Sequence, residues 1–486
     1  MPHRCGGPLA GPITLEVCCT LSARVRLLLA AVIVATAALG GAAYVSRASA
    51  DDTTVISRSG MRLAGVDLNA LAGTASETNG HMLTLAYEHV ESTYYKSFDD
   101  QTLLSGEHKA LLMFLKSRKV PNPALPVKLA TTDHNRNLAL LQGELTSAEQ
   151  IYPRAATQDE FTQVAIAGML NSLGDPYTTY MSKNEIRGLE EQLAGGNFGG
   201  IGVYIIQDAK TGSIIVDPIE GNPAIKAGIR PGDIILAVDD TLTLGEKLDT
   251  VEKQIRGIEG SVVSLRIKHH DSNHEQTVRV TRADIHVPSV RAKIEDGIDY
   301  VRLADFGTTS ADEVRTAMLD GKKHNVRGYI LDLRNNGGGL LDAAVDISSL
   351  FIPQGAIVST VDRNGNKDVK SASGRAIGAA PLVLLVNAYT ASASEITAGA
   401  VQDYHVGKLV GIKTFGKGVV QSLYNLPDKA ALKITTARYL TPAGRDIHHK
   451  GIVPDVVVNQ RPDVILDSPK DLQLAAAKSI ITKESK

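Results

Sequence analysis

The spacing of the apolar residues changes twice along this chain, and each pattern restricts what its segment can fold into. From about residue 68 to 119, and again over 158–172, apolar side chains recur at helical intervals, as in Leu83, Tyr87, Val90 and Tyr94. Between 195 and 282 they form short runs that glycines interrupt, and after 284 strand-like and helix-like stretches alternate. A chain of 486 residues is also too long for one compact core. The sequence therefore predicts a multi-domain α+β protein.

These patterns also predict where one region ends and the next begins. The stretch 120–154 has three prolines early and weak periodicity, which indicates an irregular insertion. The helix predicted over 158–172 ends at an LGDP sequence, because glycine can adopt the left-handed cap and proline cannot continue a helix. We expect a leader over 1–50, a helical N-terminal domain over 51–190, a small β-domain over 195–283, and an α/β domain with C-terminal strands and a helix over 284–486.

The leader has the pattern of an export signal. Arg24 and Arg26 precede an apolar run over 27–45, and a small-residue Ala-Ser-Ala stretch then gives way to two aspartates. The run is at the lower edge of the length that spans a bilayer, so it is also compatible with a single N-terminal anchor. A buried core helix is the third interpretation. In the first two, the bulk of the chain lies outside the cytoplasm.

Charge and cysteine usage exclude several classes of function. The 51 basic and 53 acidic side chains are spread through the sequence, so nothing indicates a nucleic-acid partner. The cysteines, Cys5, Cys18 and Cys19, all precede residue 20. The rest of the chain therefore has no means of forming a disulfide, a thiolate metal site or a cysteine nucleophile.

A glycine loop opens the β-domain, in the sequence FGGIGV at 198–203. Successive backbone N–H groups in such a loop can point at a terminal carboxylate while a peptide adds as a strand to the sheet edge. A tight turn is the plainer interpretation of these glycines. The downstream run AGIRPGDII at 227–235 favours the first, and together the two segments resemble a PDZ domain. A nucleotide-binding loop is excluded because no long helix with a GKS or GKT sequence follows.

A candidate nucleophile lies in the α/β domain. The strand predicted over 382–386 leads into NAYTASASEI, which places Ser392 where a strand ends and a helix begins. Backbone donors at a helix N-terminus can stabilise a tetrahedral intermediate, but serine and glutamate at this place are also ordinary helix caps.

Lys417 is a candidate base for this serine. It follows Ser392 by 25 residues, and Gln421 is four residues further on, on the same face in a helix or a strand. Lysine acts as a base only when neutral, which burial favours, and an amide can orient its amine without adding charge. A solvated surface lysine is the plainer alternative. The glycines that flank Lys417 and the valines that follow it favour a half-buried site.

A Ser-His-Asp arrangement also stays open at this point, because spacing alone does not exclude it. The α/β domain carries the required residue types, namely Asp332, Asp403, His405, His448 and His449.

Several separated segments, together with the PDZ pattern, resemble the C-terminal processing peptidases, also called tail-specific proteases. The resemblance extends over about residues 80–486. It rests on GMLNSLGDPYTTYM at 168–181, LDLRNNGGGLLDAAVDI at 331–347, ASASEITAGAVQDY at 391–404, KTFGKGVVQ at 413–421 and YLTPAGRDIHHKGIVPDV at 439–456.

The resemblance implies a role for each candidate residue. The α/β domain is then a crotonase-like peptidase core, in which Ser392 is the nucleophile, Lys417 the general base and Gln421 the orienting amide. The main-chain N–H groups of Ala393 and Gly338 form the oxyanion hole, and the histidines take no part. No metal and no organic cofactor are implied. The peptide terminus is bound in the PDZ domain by Gly199, Gly200, Ile201 and Gly202.

The function implied is a serine endopeptidase of the bacterial cell envelope, periplasm-facing or extracellular, that recognises the C-terminal tails of exported proteins through its PDZ domain. A docked tail is expected to gate activity, and a homo-oligomer or a regulatory adaptor is compatible with the resemblance. Two alternatives stay open: a non-catalytic ligand-binding protein on the same fold, and a scaffold whose PDZ domain recruits partners. The presence of Ser392, Lys417 and Gln421 argues against the first.

Overall fold

A computed structural model describes residues 75–485 except 194–197, 209–210, 220, 273 and 462–463, together with the backbone of a two-residue strand, β1 (Ala43–Tyr44). These residues belong to one compact unit. Apart from β1, the predicted export signal or anchor over 1–50 lies outside the described residues. Among the helices that are described, none has both the length and the apolar character that a membrane crossing requires.

Helices pack against one another in the N-terminal region. Thr157 and Glu160 form a capping box at the start of the last of them, and the second and last helices cross so closely that a Cβ on Gly106 would lie 2.6 Å from the carbonyl oxygen of Gly168. Leucines such as Leu103 and Leu111 are fully buried between them. The helices are α1 (Ala75–Thr93), α2 (Asp100–Ser117), α3 (His134–Ile151) and α4 (Gln158–Asn171).

Helix α3 contradicts the prediction of an irregular insertion over 120–154. The Asp133 side chain caps it by accepting a hydrogen bond from the backbone N–H of Arg136. Its buried face carries Leu141 and Leu145, but Asn137 and Glu144 are buried on the same helix. These polar residues interrupt the apolar stripe that sequence periodicity depends on, and only tertiary packing makes the helix recognisable.

An antiparallel sheet in the order β4-β5-β6-β8-β9 forms the β-domain, with β7 paired to β6. On β8 Val263, Leu265 and Ile267 alternate with more exposed residues and form part of the core of the domain. The strands are β4 (Val203–Gln207), β5 (Ile214–Pro218), β6 (Asp233–Val238), β7 (Thr241–Leu242), β8 (Val262–Lys268) and β9 (Glu275–Thr281); the helices are α6 (Pro223–Lys226) and α7 (Leu248–Ile255). Helix α5 (Lys183–Leu193) and the paired strands β3 (Phe198–Gly200) and β10 (Ala283–Ile285) flank it.

The α/β domain is built on a sheet in the order β11-β12-β13-β16-β17-β20, parallel except for the first strand. Alternate residues of its strands belong to separate clusters: Leu384 packs with helices α8 to α10, and Leu385 packs with α11. The strands are β11 (Val290–Glu295), β12 (Ile298–Leu303), β13 (Tyr329–Asp332), β16 (Leu382–Val386), β17 (Lys408–Gly411) and β20 (Val456–Val457); the helices are α8 (Ser310–Lys323), α9 (Leu341–Ser349), α10 (Ala393–Asp403) and α11 (Leu472–Glu484).

A further sheet joins the α/β domain to the N-terminal helices. Its order is β1-β18-β19-β14-β15, and β2 from the N-terminal region pairs with β19 through Tyr180 and Leu432. Leu432 and Ile434 of β19 are buried in the helical cluster. The remaining strands are β2 (Thr179–Met181), β14 (Ala356–Val361), β15 (Lys367–Ser371), β18 (Val419–Asn425) and β19 (Ala431–Leu440).

Candidate active site

Ser392 lies in the turn between strand β16 and helix α10, as its sequence position predicted. It is 3% exposed, and its φ of 57° and ψ of −117° are strained for a residue with a Cβ. Its backbone N–H donates to Glu395 Oε2 at 3.0 Å, and its carbonyl accepts from the hydroxyl of Tyr439 at 3.0 Å. The surrounding groups therefore hold the backbone of Ser392 in a conformation that it would not adopt by itself.

Glu395 connects this turn to the segment that carries Lys417. Its carboxylate is fully buried, and Oε2 accepts from the backbone N–H of both Ser392 and Lys417, at 3.0 and 2.9 Å. Oε1 accepts from the N–H of Gly416 at 2.7 Å and the hydroxyl of Thr414 at 2.5 Å. In the sequence Glu395 fits a helix-start pattern. That pattern gives no sign that its carboxylate also accepts hydrogen bonds from the loop 414–417.

Lys417 is more deeply buried than the predicted half-buried site, at 2% exposure, so it is not a solvated surface lysine. Its Nζ has no hydrogen-bond partner in the described part of the chain and lies 4.7 Å from the centre of the Tyr177 ring. Burial lowers the pKa of Lys417 to about 7, and the nearby charge of Lys433 acts in the same direction, whereas Asp175 and Glu395 oppose it. Near neutral pH a large fraction of this amine is therefore unprotonated.

Gln421 is fully buried on β18. Its Nε2 donates to Thr435 Oγ1 at 3.3 Å, and its Oε1 has no partner among the described residues. Lys417 precedes the same strand, so the two residues share an extended segment rather than a helix. The site thus contains a buried donor, Lys417 Nζ, and a buried acceptor, Gln421 Oε1, and neither has a partner in the part of the chain that the structure describes.

The glycine run 337–339 packs against the Ser392–Ala393 peptide. A Cβ on Gly338 would lie 2.8 Å from the N of Ala393. The N–H of Gly338 itself donates to Asn336 Oδ1 at 2.8 Å. In the described part of the chain, the N–H groups of Ala393 and Gly339 have no acceptor. Gly339 also lines a small apolar depression beside Ser392.

The alternative with a catalytic histidine does not have matching geometry. The ring centres of His448 and His449 lie 3.8 Å apart, so the two rings pack against each other. Among the described residues, no hydrogen bond joins either ring to Ser392. Asp332 is bound by Arg334, and Asp403 pairs with an arginine, Arg445; His405 is exposed.

In the β-domain a groove of about 270 Å³ runs between the edge strand β4 and helix α7. Gly200, Ile201 and Gly202 line it, and within the described residues the N–H groups of Ile201 and Gly202 have no acceptor. Gly199 does not line the groove. Its carbonyl accepts from Gly257 N–H, and a Cβ there would lie 1.9 Å from the Gly257 oxygen, so close backbone packing explains this glycine.

No group of histidine, cysteine, aspartate or glutamate in the described ranges is arranged to hold a metal ion. The α/β core with a buried serine and a buried lysine that has no partner among the described residues, preceded by a PDZ-type domain, defines the class of PDZ-containing peptidases. Residues 297–458 match the model of peptidase family S41, and residues 199–281 match a PDZ domain model.

Known relatives agree with this class. The chain is 40% identical to the carboxyl-terminal-processing protease of Synechocystis sp. over 343 residues, which is 69% of this chain and 80% of the relative. The protease of the same name from Picosynechococcus sp. is 40% identical over 335 residues, or 68% of this chain and 80% of the relative. The chain belongs to peptidase family S41, among the carboxyl-terminal-processing proteases. The predicted resemblance and fold class, including the PDZ domain and the peptidase core, are therefore confirmed.

The chain is also similar to a solved structure titled photosystem II D1 C-terminal processing protease. The match covers 80% of this chain and 94% of that structure's chain, with 30% sequence identity and a TM-score of 0.44.

Proposed function

We propose that this peptidase is a serine endopeptidase in which Ser392 is the nucleophile and Lys417 the general base, and that its PDZ domain binds the C-terminal tails of its substrates. The observation that carries the proposal is the pair of hydrogen bonds at Glu395 Oε2. Through them one buried carboxylate holds the backbone of Ser392 beside that of Lys417. The Lys417 amine has no hydrogen-bond partner among the described residues, and burial lowers its pKa to about 7.

The chemistry is acyl transfer. Lys417 Nζ takes the proton of Ser392 Oγ as that oxygen attacks the scissile carbonyl, and the protonated lysine then supplies a proton to the leaving amine. The same amine afterwards activates the water that hydrolyses the acyl-enzyme. Gln421 Oε1 can accept a hydrogen bond from the amine and orient it. The rate should rise with pH through about 7, because only the neutral amine is a base.

The tetrahedral intermediate carries an oxyanion that needs preorganised donors. Ala393 supplies one, since its N–H, at the start of helix α10, has no acceptor among the residues that the structure describes. Gly338 is the second donor proposed from the sequence, and it can act only if its N–H leaves Asn336 Oδ1. Gly339 is the alternative within the same run, because its N–H has no acceptor within the described ranges and it lines the depression beside Ser392.

Substrate selection is proposed for two places. The depression beside Ser392 is lined by Leu341, Ile396 and Val420, so it suits a small apolar side chain next to the cleaved bond. In the groove of the PDZ domain the N–H groups of Ile201 and Gly202, which have no acceptor in the described part of the chain, are available for a terminal carboxylate. The relatives are named for carboxyl-terminal processing, which agrees with recognition of a tail.

We also propose that the protein is exported to the bacterial cell envelope and is either freed by cleavage of its leader or anchored by it. Arg24, Arg26 and the apolar run 27–45 support this proposal. An oligomer or an adaptor that controls access is compatible with it. Cell fractionation with an antibody against the chain would test the location, and recovery in the cytoplasmic fraction would contradict it.

The proposed activity is tested by incubating the purified full-length protein with an unfolded protein that ends in an apolar tail, and by following intact substrate by mass spectrometry. We expect cleavage by the wild type, and a loss of rate of at least about a thousandfold in both Ser392→Ala and Lys417→Met. Removal of the apolar tail should slow cleavage.

The rivals predict other results. A non-catalytic binding protein would bind the tail without cleaving it in any variant. A scaffold would leave Ser392 unlabelled by a fluorophosphonate probe, whereas a peptidase should be labelled at Ser392 and lose the label in Lys417→Met.

A further inference from the structure

The amine of Lys417 lies against a segment that comes from outside both matched regions. Tyr177, whose ring centre is 4.7 Å from Lys417 Nζ, belongs to the loop 174–178 between helix α4 and strand β2. The PDZ match begins at residue 199 and the peptidase match at 297. One wall of the lysine site is therefore supplied by the helical N-terminal region.

Hydrogen bonds hold this loop on strand β19. The Asp175 carboxylate accepts from the Tyr177 N–H at 3.0 Å and from the Thr178 hydroxyl at 2.7 Å. The same Thr178 hydroxyl accepts from the backbone N–H of Thr435 at 3.0 Å. Asp175, Thr178 and Thr435 are all buried. The position of the Tyr177 ring is thus tied to the strand that carries Thr435.

Thr435 also contacts the amide of Gln421. Its Oγ1 accepts from Gln421 Nε2, and an amide that donates at one end presents its carbonyl oxygen at the other. That oxygen and Lys417 Nζ are buried atoms without partners in the described part of the chain. If the amide were turned over, its NH₂ group would face a lysine that has only donors when protonated.

We propose, on the basis of the Ser392–Lys417 mechanism, that Tyr177 and Thr435 are positioning residues for the general base: the Tyr177 ring holds the amine of Lys417, and Thr435 keeps the oxygen of Gln421 available to it. Tyr177 offers the face of its ring, which attracts a cation without supplying a proton acceptor. Burial raises the pKa of Tyr177 to about 12, so the phenol stays neutral at working pH. The peptidase core alone then lacks part of its catalytic site.

The first test measures the pH dependence of kcat/KM. The charged groups that face Lys417 are Lys433 on β19, Asp175 in the loop and Glu395 on α10, and all are retained in Tyr177→Leu and Tyr177→Phe. Loss of the ring in Tyr177→Leu removes an attraction for the ammonium form, so the acid limb should move to lower pH by about half a unit to one unit. Tyr177→Phe keeps the ring and should retain the wild-type profile.

Tyr180→Leu is the matched control, because Tyr180 lies three residues away and its hydroxyl contacts Asp428 rather than the lysine site. Its acid limb should stay at the wild-type pH. An unchanged limb in Tyr177→Leu, or one displaced to higher pH, would overturn the role of the ring.

The second test concerns Thr435. Thr435→Val keeps the shape but removes the acceptor for Gln421 Nε2, so kcat should fall about tenfold or more while KM changes little, and Thr435→Ser should restore kcat. Thr436→Val is the control, since Thr436 is the next residue on β19 and its hydroxyl contacts Ser422. Equal kcat in Thr435→Val and Thr436→Val, or no rescue by serine, would show that Thr435 has no positioning role.

A third measurement does not depend on the proposed activity. Competitive acetylation of lysines with acetic anhydride over a range of pH, read by mass spectrometry, gives the titration of Lys417 in the inactive Ser392→Ala background. Combined with Tyr177→Leu it should show the same downward shift. If the wild type does not cleave but the pKa of Lys417 is lower in Tyr177→Leu, the proposed function fails and the ring contact is supported. If cleavage requires Ser392 and Lys417 but the pKa of Lys417 does not change, only the role proposed for Tyr177 fails.

Discussion

Two of the cations buried in the α/β domain, Arg334 and Lys417, have opposite surroundings. Arg334 is fully buried, and its guanidinium donates hydrogen bonds to Asp332, Asp471 and Gln473. Lys417 is almost as buried, yet its amine has no hydrogen-bond partner among the described residues. A buried charge is costly unless it is paired, so the first arrangement is what structural stability requires. The second is what a base requires, because the missing partners favour the neutral amine.

The pKa values follow from these surroundings. Burial by itself would lower the pKa of Arg334, but its hydrogen bonds to Asp332 and Asp471 hold it above the usual value. Asp471 caps helix α11, so the arginine joins the end of strand β13 to the C-terminal helix. No carboxylate of the described residues forms a hydrogen bond with the amine of Lys417, and burial lowers its pKa to about 7. Removing each cation should therefore change stability in opposite directions.

The largest change in stability is expected when the paired cation is removed. Arg334→Met leaves Asp332 and Asp471 buried without their partner, and we expect the free energy of unfolding to fall by about 3–5 kcal/mol. Urea unfolding followed by circular dichroism would measure it. Arg230→Met is the control, because its pair with Asp271 is exposed on both sides and should contribute less than about 1 kcal/mol. If Arg334→Met and Arg230→Met lowered the free energy of unfolding equally, the buried pairing of Arg334 would not be a special source of stability.

A smaller change of opposite sign is expected at the unpaired cation. The unfolded chain binds a proton at Lys417 up to its ordinary pKa of 10.5, whereas the folded chain releases it near 7. Wild-type stability therefore rises with pH across this window, and Lys417→Met, which removes the penalty, should stabilise the protein by about 3 kcal/mol at pH 8. The gain should shrink towards pH 10.5. A variant less stable than the wild type at every pH would contradict the unpaired state of this amine.

The sequence could predict the features of the fold and of the candidate site that local residue patterns determine. Ser392 and Lys417 could be selected as candidates because local signals mark them: a strand leads into a helix at one, and glycines and valines surround the other. Strands β13 and β16 are short, largely apolar runs, a pattern typical of buried strands in a parallel sheet. Depth of burial was less predictable, since a half-buried Lys417 was expected and a fully buried one is observed.

Contacts between distant segments could not be predicted from local pattern. Tyr177 and Lys417 are 240 residues apart, and the pairing of β2 with β19, together with the hydrogen bond from the Thr435 N–H to the Thr178 hydroxyl, brings their segments together. The hydrogen bond that engages the N–H of Gly338 depends on the conformation of a single asparagine, Asn336. Helix α3 escaped prediction because its buried face includes Glu144. In each case tertiary packing, and not propensity, decides the outcome.

Lys433, a second buried lysine near Lys417, allows the smallest of these predicted effects to be tested: how much a neighbouring charge lowers the pKa of Lys417. It lies on β19 opposite Thr179 and Leu423, at 6% exposure. Its charge is the second cause, after burial, of the low pKa of Lys417, and Asp175 and Glu395 act against both. Burial also lowers the pKa of Lys433 itself.

Removing this like charge should raise the pKa of Lys417. In Lys433→Met the ammonium form of Lys417 loses a repulsion, so the acid limb of kcat/KM should move to higher pH by about half a unit to one unit. Lys429→Met, at an exposed lysine in the turn that leads into the same strand, should leave the limb in place. This shift is opposite in sign to that expected for Tyr177→Leu, so the two variants together separate electrostatic repulsion from the contact with the ring. A limb that does not move in Lys433→Met would mean that burial alone sets the protonation of the base, and that the unpaired lysine differs from Arg334 only in lacking partners.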